Sequence, residues 1–109
     1  KADYAGCVSG AEEDKSELFA YHIADDGAPM IDASPVSMAC TVEDVYETEG
    51  FESFICKIAA TYADESVLDS SGRLDYNNLK PVLFEMPTYQ YLKTGEVLGK
   101  CMSMGKEED

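Results

Sequence analysis

The feature that most constrains the fold is a period-two alternation of apolar and polar residues in the middle of the chain. In VSMACTVEDV the apolar positions are Val36, Met38, Cys40 and Val42, and the residues between them are small, polar or charged. Successive side chains of a strand point to opposite faces of a sheet. This spacing therefore predicts a β-strand with one buried apolar face.

A second stretch, SFICKIAATY, repeats the pattern with Phe54, Cys56, Ile58 and Ala60. The segment between them, YETEGFES, is polar and contains a glycine, which is typical of a turn. Two such strands joined by a short glycine-containing loop predict an antiparallel hairpin. A slip of one residue would turn either apolar set to solvent, so we expect a single fixed register.

The N-terminal third gives weaker patterns. Residues 1–8 predict the end of a helix, and Ser9 is a candidate N-cap for a short helix that runs through Leu18 and Phe19, with acidic residues at its positive end. Residues 23–35 contain Asp-Gly, two prolines and small residues, so they predict a loop.

The C-terminal third contains a turn and a further strand. DSSG, from Asp69 to Gly72, predicts a turn, since its acids and glycine do not supply the oxygen ligands of a calcium loop. KPVLFEM predicts a strand that begins after Pro81. If the stretch that follows is extended, Tyr89 and Tyr91 share one face.

The charge of the chain excludes two classes of partner. Its 109 residues include 22 acidic and 8 basic side chains, for a net charge of −14. Nucleic acids and anionic membranes are bound through Lys and Arg, so we expect neither partner. No apolar run approaches the roughly 20 residues that span a bilayer, and no secretory signal is visible. We expect one cytoplasmic domain over residues 1–109, with a frayed GKEED tail.

Neither metal binding nor catalysis has a clear signature. Cys7, Cys40, Cys56 and Cys101 form no CxxC pair, and His22 is close to none of them in sequence. Zinc-site spacing is therefore absent, and we expect no metal and reduced, structural thiols. His22 is predicted to be a surface residue. GxSxG, Walker and GxGxxG motifs are also absent, so the residues by themselves assign no catalytic group.

Three segments together resemble the flavin reductase-like family, in the family's order and spacing. They are ADYAGCVSGAEEDK, SPVSMACTVEDVY and FICKIAATYADESVLDSSGRLDYNNLKPVLFEMPTYQYLKTGEVLGK, which span residues 2–105. The resemblance implies a mainly β fold, an antiparallel split β-barrel with short helices that binds FMN. Members of the family are usually nearer twice this length. The resemblance therefore implies that this chain corresponds to the C-terminal half of such a domain, with barrel strands missing.

The resemblance also implies cofactor-binding residues. The family has an S-G-x-x-x-D-K-F stretch beside the flavin, which reads SGAEEDKS here: Ser9, Gly10 and Lys15 match, and Ser16 replaces the aromatic residue. A cation and backbone amides suit a phosphate group. Tyr91 falls in the segment that the resemblance places near the flavin and a homodimer interface. From the residues alone, the alternatives are a capped helix with a solvated Lys15 and a tyrosine that packs in a core.

The implied activity is electron transfer from NAD(P)H to flavin or to a downstream acceptor. Many family members carry a His and a Gly near the nicotinamide, where this chain has Phe51 and Cys56. Two alternatives therefore stand beside the reductase. One is a flavin-binding electron carrier that receives electrons from a protein. The other is a non-catalytic dimerisation half that binds no flavin alone.

Overall fold

The computed structural model describes residues 1–106, which form antiparallel β-hairpins and a few short helices. The elements are α1 (Ala2–Cys7), β1 (Tyr21–Ile23), β2 (Pro29–Ile31), β3 (Val36–Thr48), β4 (Phe51–Ala63), β5 (Val82–Glu85) and β6 (Gln90–Lys93), with 3₁₀ turns at Lys15–Glu17, Glu65–Val67 and Met104–Lys106. Within these residues the strands pair as β1–β2, β3–β4 and β5–β6. The predicted class, mainly antiparallel β with short helices, is confirmed. The predicted frayed tail falls mostly outside the described residues.

The chain divides into two compact units, Lys1–Asp64 and Glu65–Asp109. The first contains α1 and the hairpins β1–β2 and β3–β4, and the second contains β5–β6. No helix in the described part is long and apolar enough to cross a bilayer.

The predicted hairpin is the longest structure in the chain. β3 and β4 each have 13 residues and pair antiparallel from Val36–Ala63 to Thr48–Phe51. The turn is only Glu49-Gly50, shorter than predicted, because the β-branched and aromatic residues on either side extend the strands. Gly50 has φ +79°, a left-handed conformation that glycine adopts without a steric penalty.

Two register shifts keep the apolar residues of this hairpin on one face. One lies between Ala39 and Cys40, and the other between Val42 and Asp44. An extra residue in one strand changes the phase of the alternation beyond it. The cross-strand pairs that result are Cys40 with Ile58, Val42 with Cys56 and Val45 with Phe54. The predicted face is therefore confirmed for Cys40, Val42, Phe54, Cys56 and Ile58, whereas Ala60, predicted on the same face, pairs with Ala39 and lies on the opposite one.

The prediction that this face is buried is wrong. Met38, Val42 and Phe54 are 59%, 53% and 57% exposed, whereas Ala39, which alternates with the apolar set, is 7% exposed. The reason is the absence of a covering layer, since β3 and β4 form a two-stranded sheet within the described residues. A strand pattern predicts which residues share a face, but covering that face requires other elements.

The predicted loop over residues 23–35 is wrong in part, because it contains β2. Tyr21 pairs with Ile31, and the turn between β1 and β2 closes with a bond from Ala24 N–H to the Ala28 carbonyl at 2.8 Å. The Asp-Gly signal belongs to this tight turn, where Gly27 has φ +87°. Asp-Gly between short apolar runs is a hairpin signal as well as a loop signal.

The predicted helix through Leu18 and Phe19 is also wrong. Only Lys15–Glu17 is helical, as a 3₁₀ turn capped by Asp14, whose Oδ1 accepts hydrogen bonds from the Ser16 N–H at 3.0 Å and hydroxyl at 2.6 Å. These bonds hold the pKa of Asp14 below its usual value. Aspartate and serine side chains compete with a helix for backbone donors and end it early. The helix predicted at residues 1–8 is present as α1.

In the second unit the predicted turn and strand are confirmed. Gly72 N–H donates to the Asp69 carbonyl at 3.0 Å, with Gly72 at φ +83°. Val67, 6% exposed, is the buried hydrophobic residue among those described in this unit. The predicted third strand is β5, which pairs with β6 from Val82–Lys93 to Glu85–Gln90.

Candidate functional site

A cleft in the first unit lies between the 3₁₀ turn Lys15–Glu17 and the hairpin β1–β2. Its volume is about 430 Å³, within the range of roughly 300–1,000 Å³ common for ligand sites. It is lined by Lys15, Ser16, Phe19, Tyr21, Ile23, Pro29 and Ile31. We call it the Lys15 cleft.

The lining of the Lys15 cleft combines apolar side chains with one cation. Two aromatic rings and three aliphatic side chains form most of it, and one ammonium group is its single cation. Lys15 is also the only Lys or Arg between Lys1 and Lys57. An apolar surface with one cation suits a flat aromatic ligand that carries an anionic group.

Helix α1 holds the Lys15 side chain in place. Lys15 Nζ donates a hydrogen bond to the Ala5 carbonyl at 2.7 Å, and the side chain is half-buried. Carbonyls in the last turn of a helix have no partner within the helix, and a cation there is favourable. An ammonium group has three N–H donors, so this one bond leaves capacity to bind an anion in the cleft.

Ser9 and Gly10, predicted to bind phosphate with Lys15, are exposed and do not line the Lys15 cleft. The Ser9 hydroxyl accepts the Ala11 N–H at 3.2 Å, and the Ser9 carbonyl accepts the N–H groups of Glu12 and Glu13 at 3.1 and 3.0 Å. These amides are therefore engaged within their own loop. Ser9, Gly10 and Lys15 are close in sequence, but of the three only Lys15 lines the cleft.

The loop that precedes Lys15 is acidic. Glu13 accepts the hydroxyl of Tyr4 at 2.9 and 2.8 Å on its two oxygens, and this bond raises the pKa of Tyr4. Glu12, Glu13 and Asp14 directly precede Lys15 in sequence, so this stretch carries three carboxylates. An anion bound at Lys15 would be attracted by that cation and repelled by these carboxylates, so binding should be sensitive to ionic strength.

Tyr91 belongs to a separate aromatic cluster in the second unit. Its ring centroid lies 5.5 Å from that of Phe84 across the β5–β6 pair, at an interplanar angle of 56°. Tyr89 lies 6.2 Å from the same Phe84 ring. The expectation that Tyr89 and Tyr91 alternate on one strand is wrong, because Tyr89 is in the turn with φ +55°. Both rings nonetheless contact Phe84, and both are more than half exposed.

A second cavity of about 420 Å³ in the first unit has a different character. His22 Nδ1 lies 2.7 Å from Asp32 Oδ1 at its edge, and Asp25 and Asp64 also line it. His22 is exposed, as predicted. With three carboxylates and no Lys or Arg in its lining, this cavity disfavours an anionic ligand.

The described residues include no cluster of three or more His, Cys, Asp or Glu side chains that could hold a metal ion. All four cysteines are free thiols, and all are exposed. The cysteines at 40 and 56 lie on the apolar face of β3–β4, where the alternation placed them.

The sequence did not indicate most of the Lys15 cleft. Tyr21 and Ile31 come together because β1 pairs with β2, and that pairing was missed. The signal that would have found it is the Asp-Gly turn between YHI and PMI.

Two solved structures match this chain closely. The flavoredoxin of Methanosarcina acetivorans has a TM-score of 0.88 and 32% sequence identity, over 98% of this chain and 57% of that one. The flavoredoxin of Desulfovibrio vulgaris (Miyazaki F) has a TM-score of 0.80 and 33% identity, over 95% of this chain and 57% of that one. No protein-family model and no curated protein sequence matches the chain.

The fold is therefore the split-barrel-like fold of these flavoredoxins over nearly all of this chain. The chain spans 57% of the length of each of the two proteins it matches. Membership of the flavin reductase-like family itself stays a prediction.

Proposed function

We propose that this chain is part of a flavin-binding electron carrier and that FMN is its cofactor. The observation that carries the proposal is the match to two flavoredoxins at 32% and 33% identity over nearly the whole chain. The name flavoredoxin denotes a redox protein that uses a flavin. The Lys15 cleft adds a local reason, since it combines an apolar surface with one cation.

The residues of the cleft fit FMN in part. The aromatic and aliphatic lining, with Phe19 and Tyr21, suits the flat isoalloxazine ring, and the Lys15 ammonium suits the phosphate. The amides near Ser9 do not add to a phosphate site, because they are engaged in their own turn. FMN, when bound, would supply the redox chemistry. The chain's own residues would bind the ring, orient it and exclude water from one side.

Tyr91 is proposed as a second contact with the flavin or with a partner subunit. Its support is the exposed cluster with Phe84 and Tyr89, which offers aromatic edges and faces to a ligand. We also propose a homodimer with this cluster at its interface, because the cluster is exposed.

Two observations favour the electron carrier over an NAD(P)H-dependent reductase. The two solved structures that match the chain are flavoredoxins, and the chain has Phe51 and Cys56. Both residues replace the His and Gly that the family resemblance associates with nicotinamide. NAD(P)H as donor is therefore the second candidate. Bleaching of bound flavin by NADH in the absence of oxygen would favour that candidate, and bleaching only by a reduced iron–sulfur protein would favour the carrier.

The proposal predicts saturable FMN binding that depends on Lys15. In a titration followed by flavin fluorescence, Lys15→Gln should weaken FMN binding about tenfold or more, the effect of losing one charge-assisted hydrogen bond. Lys80→Gln is the matched control, since it removes the same charge from a residue outside the cleft, and it should leave binding within about twofold. Equal affinity of the Lys15 variant and the original chain would refute the assignment of phosphate to Lys15.

A further inference from the structure

A second cation, Lys1, lies beside the Lys15 cleft. Its Nζ is 5.9 Å from the centroid of the Phe19 ring, and Phe19 lines the cleft. An ammonium group within about 6 Å of an aromatic centroid is attracted by the negative face of the ring. Lys1 and Lys15 are the only basic residues of the chain before Lys57. Both are therefore placed at the same cleft, in a chain whose net charge is −14.

Helix α1 holds the backbone of Lys1 in this position. Lys1 directly precedes α1, and its carbonyl accepts the Ala5 N–H at 2.9 Å. The Ala5 carbonyl in turn accepts the hydrogen bond from Lys15 Nζ at 2.7 Å. The hydroxyl of Tyr4, also in α1, donates to the two oxygens of Glu13 at 2.9 and 2.8 Å. These bonds fix α1, and with it Lys1, to the segment that carries Lys15.

The contact with Phe19 limits how far Lys1 can be from a ring bound in the cleft. Aromatic rings in contact have their centroids roughly 4.5–7 Å apart. Because Lys1 Nζ is 5.9 Å from the Phe19 centroid, it lies at most about 13 Å from the centroid of a ring that packs on Phe19. Two unit charges at this separation interact measurably near a protein surface. The ammonium of Lys1 is therefore close enough to respond to a change of charge on that ring.

Reduction is such a change of charge. It adds two electrons and one proton to an oxidised flavin, and the reduced ring carries one negative charge at neutral pH. In the proposed carrier the electrons come from a reduced protein partner. A cation near the ring stabilises the reduced form more than the oxidised form, and so raises the reduction potential.

We propose that the ammonium of Lys1 makes the Lys15 cleft favour reduced FMN over oxidised FMN, and thereby raises the reduction potential of the bound cofactor. The excess of carboxylates in the chain opposes the addition of electrons to a bound ring. Of the two cations at the cleft, Lys15 is assigned to the phosphate, so Lys1 is the one that acts on the ring. This inference rests on the proposed function, because it requires FMN in the cleft.

The test measures the ratio of the affinities of the 109-residue chain for reduced and oxidised FMN. Oxidised FMN is titrated by fluorescence, and the reduction potential of bound FMN is measured without oxygen, with dithionite as reductant and a reference dye. The difference from the potential of free FMN gives the ratio. We expect Lys1→Gln to lower the ratio about twofold to fivefold, the effect of one charge at this separation. The potential then falls by about 9–20 mV, since a tenfold change is about 30 mV for two electrons.

Two further variants separate charge from structure. Lys1→Arg keeps the charge and should reproduce the potential of the original chain. Lys57→Gln removes the same charge from β4, in the same unit and outside the lining of the cleft, and should leave the ratio unchanged. A purely structural role of Lys1 would weaken the binding of both forms of FMN equally, with no effect on the ratio.

The contact itself is checked without flavin by NMR, where Lys1→Gln should shift the ring resonances of Phe19. Unchanged Phe19 resonances would overturn the inference, because the ammonium would then not lie over this ring. An unchanged potential in Lys1→Gln, or a lowered potential that Lys1→Arg fails to restore, would also overturn it, while FMN binding in the cleft would stand. Absence of FMN binding by the original chain would refute the proposed function, and this inference with it.

Discussion

At the scale of single residues, Lys15 shows how one side chain serves both the fold and the proposed site. Its ammonium bonds to the Ala5 carbonyl at the end of α1 and also lines the cleft. Lys15 was indicated only by the resemblance to the flavin reductase-like family, together with Ser9 and Gly10. The resemblance did not indicate that Ser9 would use its own oxygens on neighbouring amides, because such local bonds depend on backbone angles that a motif does not specify.

A prediction at this scale concerns Asp69. Its Oδ1 accepts hydrogen bonds from the Ser71 hydroxyl, the Arg73 N–H and the Ser71 N–H, and these bonds hold the pKa of the carboxyl below its usual value. Because the pKa of Asp69 is lower in the folded chain than in the unfolded chain, its ionised carboxylate stabilises the fold. This stabilisation is complete above about pH 4, the ordinary pKa of an aspartate, and is lost as pH falls through the pKa of the folded state. We therefore expect the amides of Ser71 and Arg73 to lose protection from exchange only in strong acid.

Asp69→Asn is the matched variant, because an asparagine oxygen can accept the same backbone bonds without titrating. Amide exchange followed by NMR between neutral pH and about pH 2.5 should show a pH-dependent loss of protection in the original chain only. The same pH dependence in the Asn variant would contradict the role assigned to the Asp69 carboxylate.

At the scale of elements, the hairpin β3–β4 was predicted well and the short hairpin β1–β2 was not. Two stretches of clear alternation defined the long strands, whereas three-residue strands give no period to detect. The register shift near Glu43 was also unforeseen, although without it Val45 would leave the apolar face. Bulges depend on the partner strand, so one strand's alternation does not reveal them.

The apolar face also has energetic consequences. Fully burying one large aliphatic or aromatic side chain contributes about 1.5–3 kcal/mol. Met38, Val42, Val45, Phe54 and Ile58 are between 40% and 59% exposed. Covering all five would contribute on the order of 5 kcal/mol, which is comparable with the net stability of many domains.

A prediction at this scale concerns the turn of the long hairpin. Gly50 has φ +79°, and a Cβ there would meet no atom within 4 Å, so the cost of Gly50→Ala is backbone strain alone. We expect the free energy of unfolding to fall by about 1–2 kcal/mol. Gly10→Ala is the control, since its Cβ also meets nothing and its φ is not in the left-handed region. Urea unfolding followed by circular dichroism would distinguish them, and equal stability of the two variants would contradict the strain argument.

At the scale of the whole molecule, the fold class was predictable from the order of segments, but burial was not. Only Ala39 and Val67 are buried hydrophobic residues in the described part of the chain. Periodicity predicts which side chains face a core, and the core itself requires every layer that packs on them. In the described residues each of the three hairpins forms a sheet of only two strands, so many apolar side chains remain exposed.

The central claim, that FMN binds in the Lys15 cleft, is tested most directly by mapping FMN onto the isotope-labelled chain by NMR. The Lys15 cleft and the cavity beside His22 have nearly equal volumes, about 430 and 420 Å³, and differ in the charge of their linings. We predict saturable shifts at Lys15, Phe19 and Tyr21 and none at Met30 and Tyr62, which line only the cavity beside His22. Saturable shifts at Met30 and Tyr62 alone, or no shift with FMN in excess, would contradict the account.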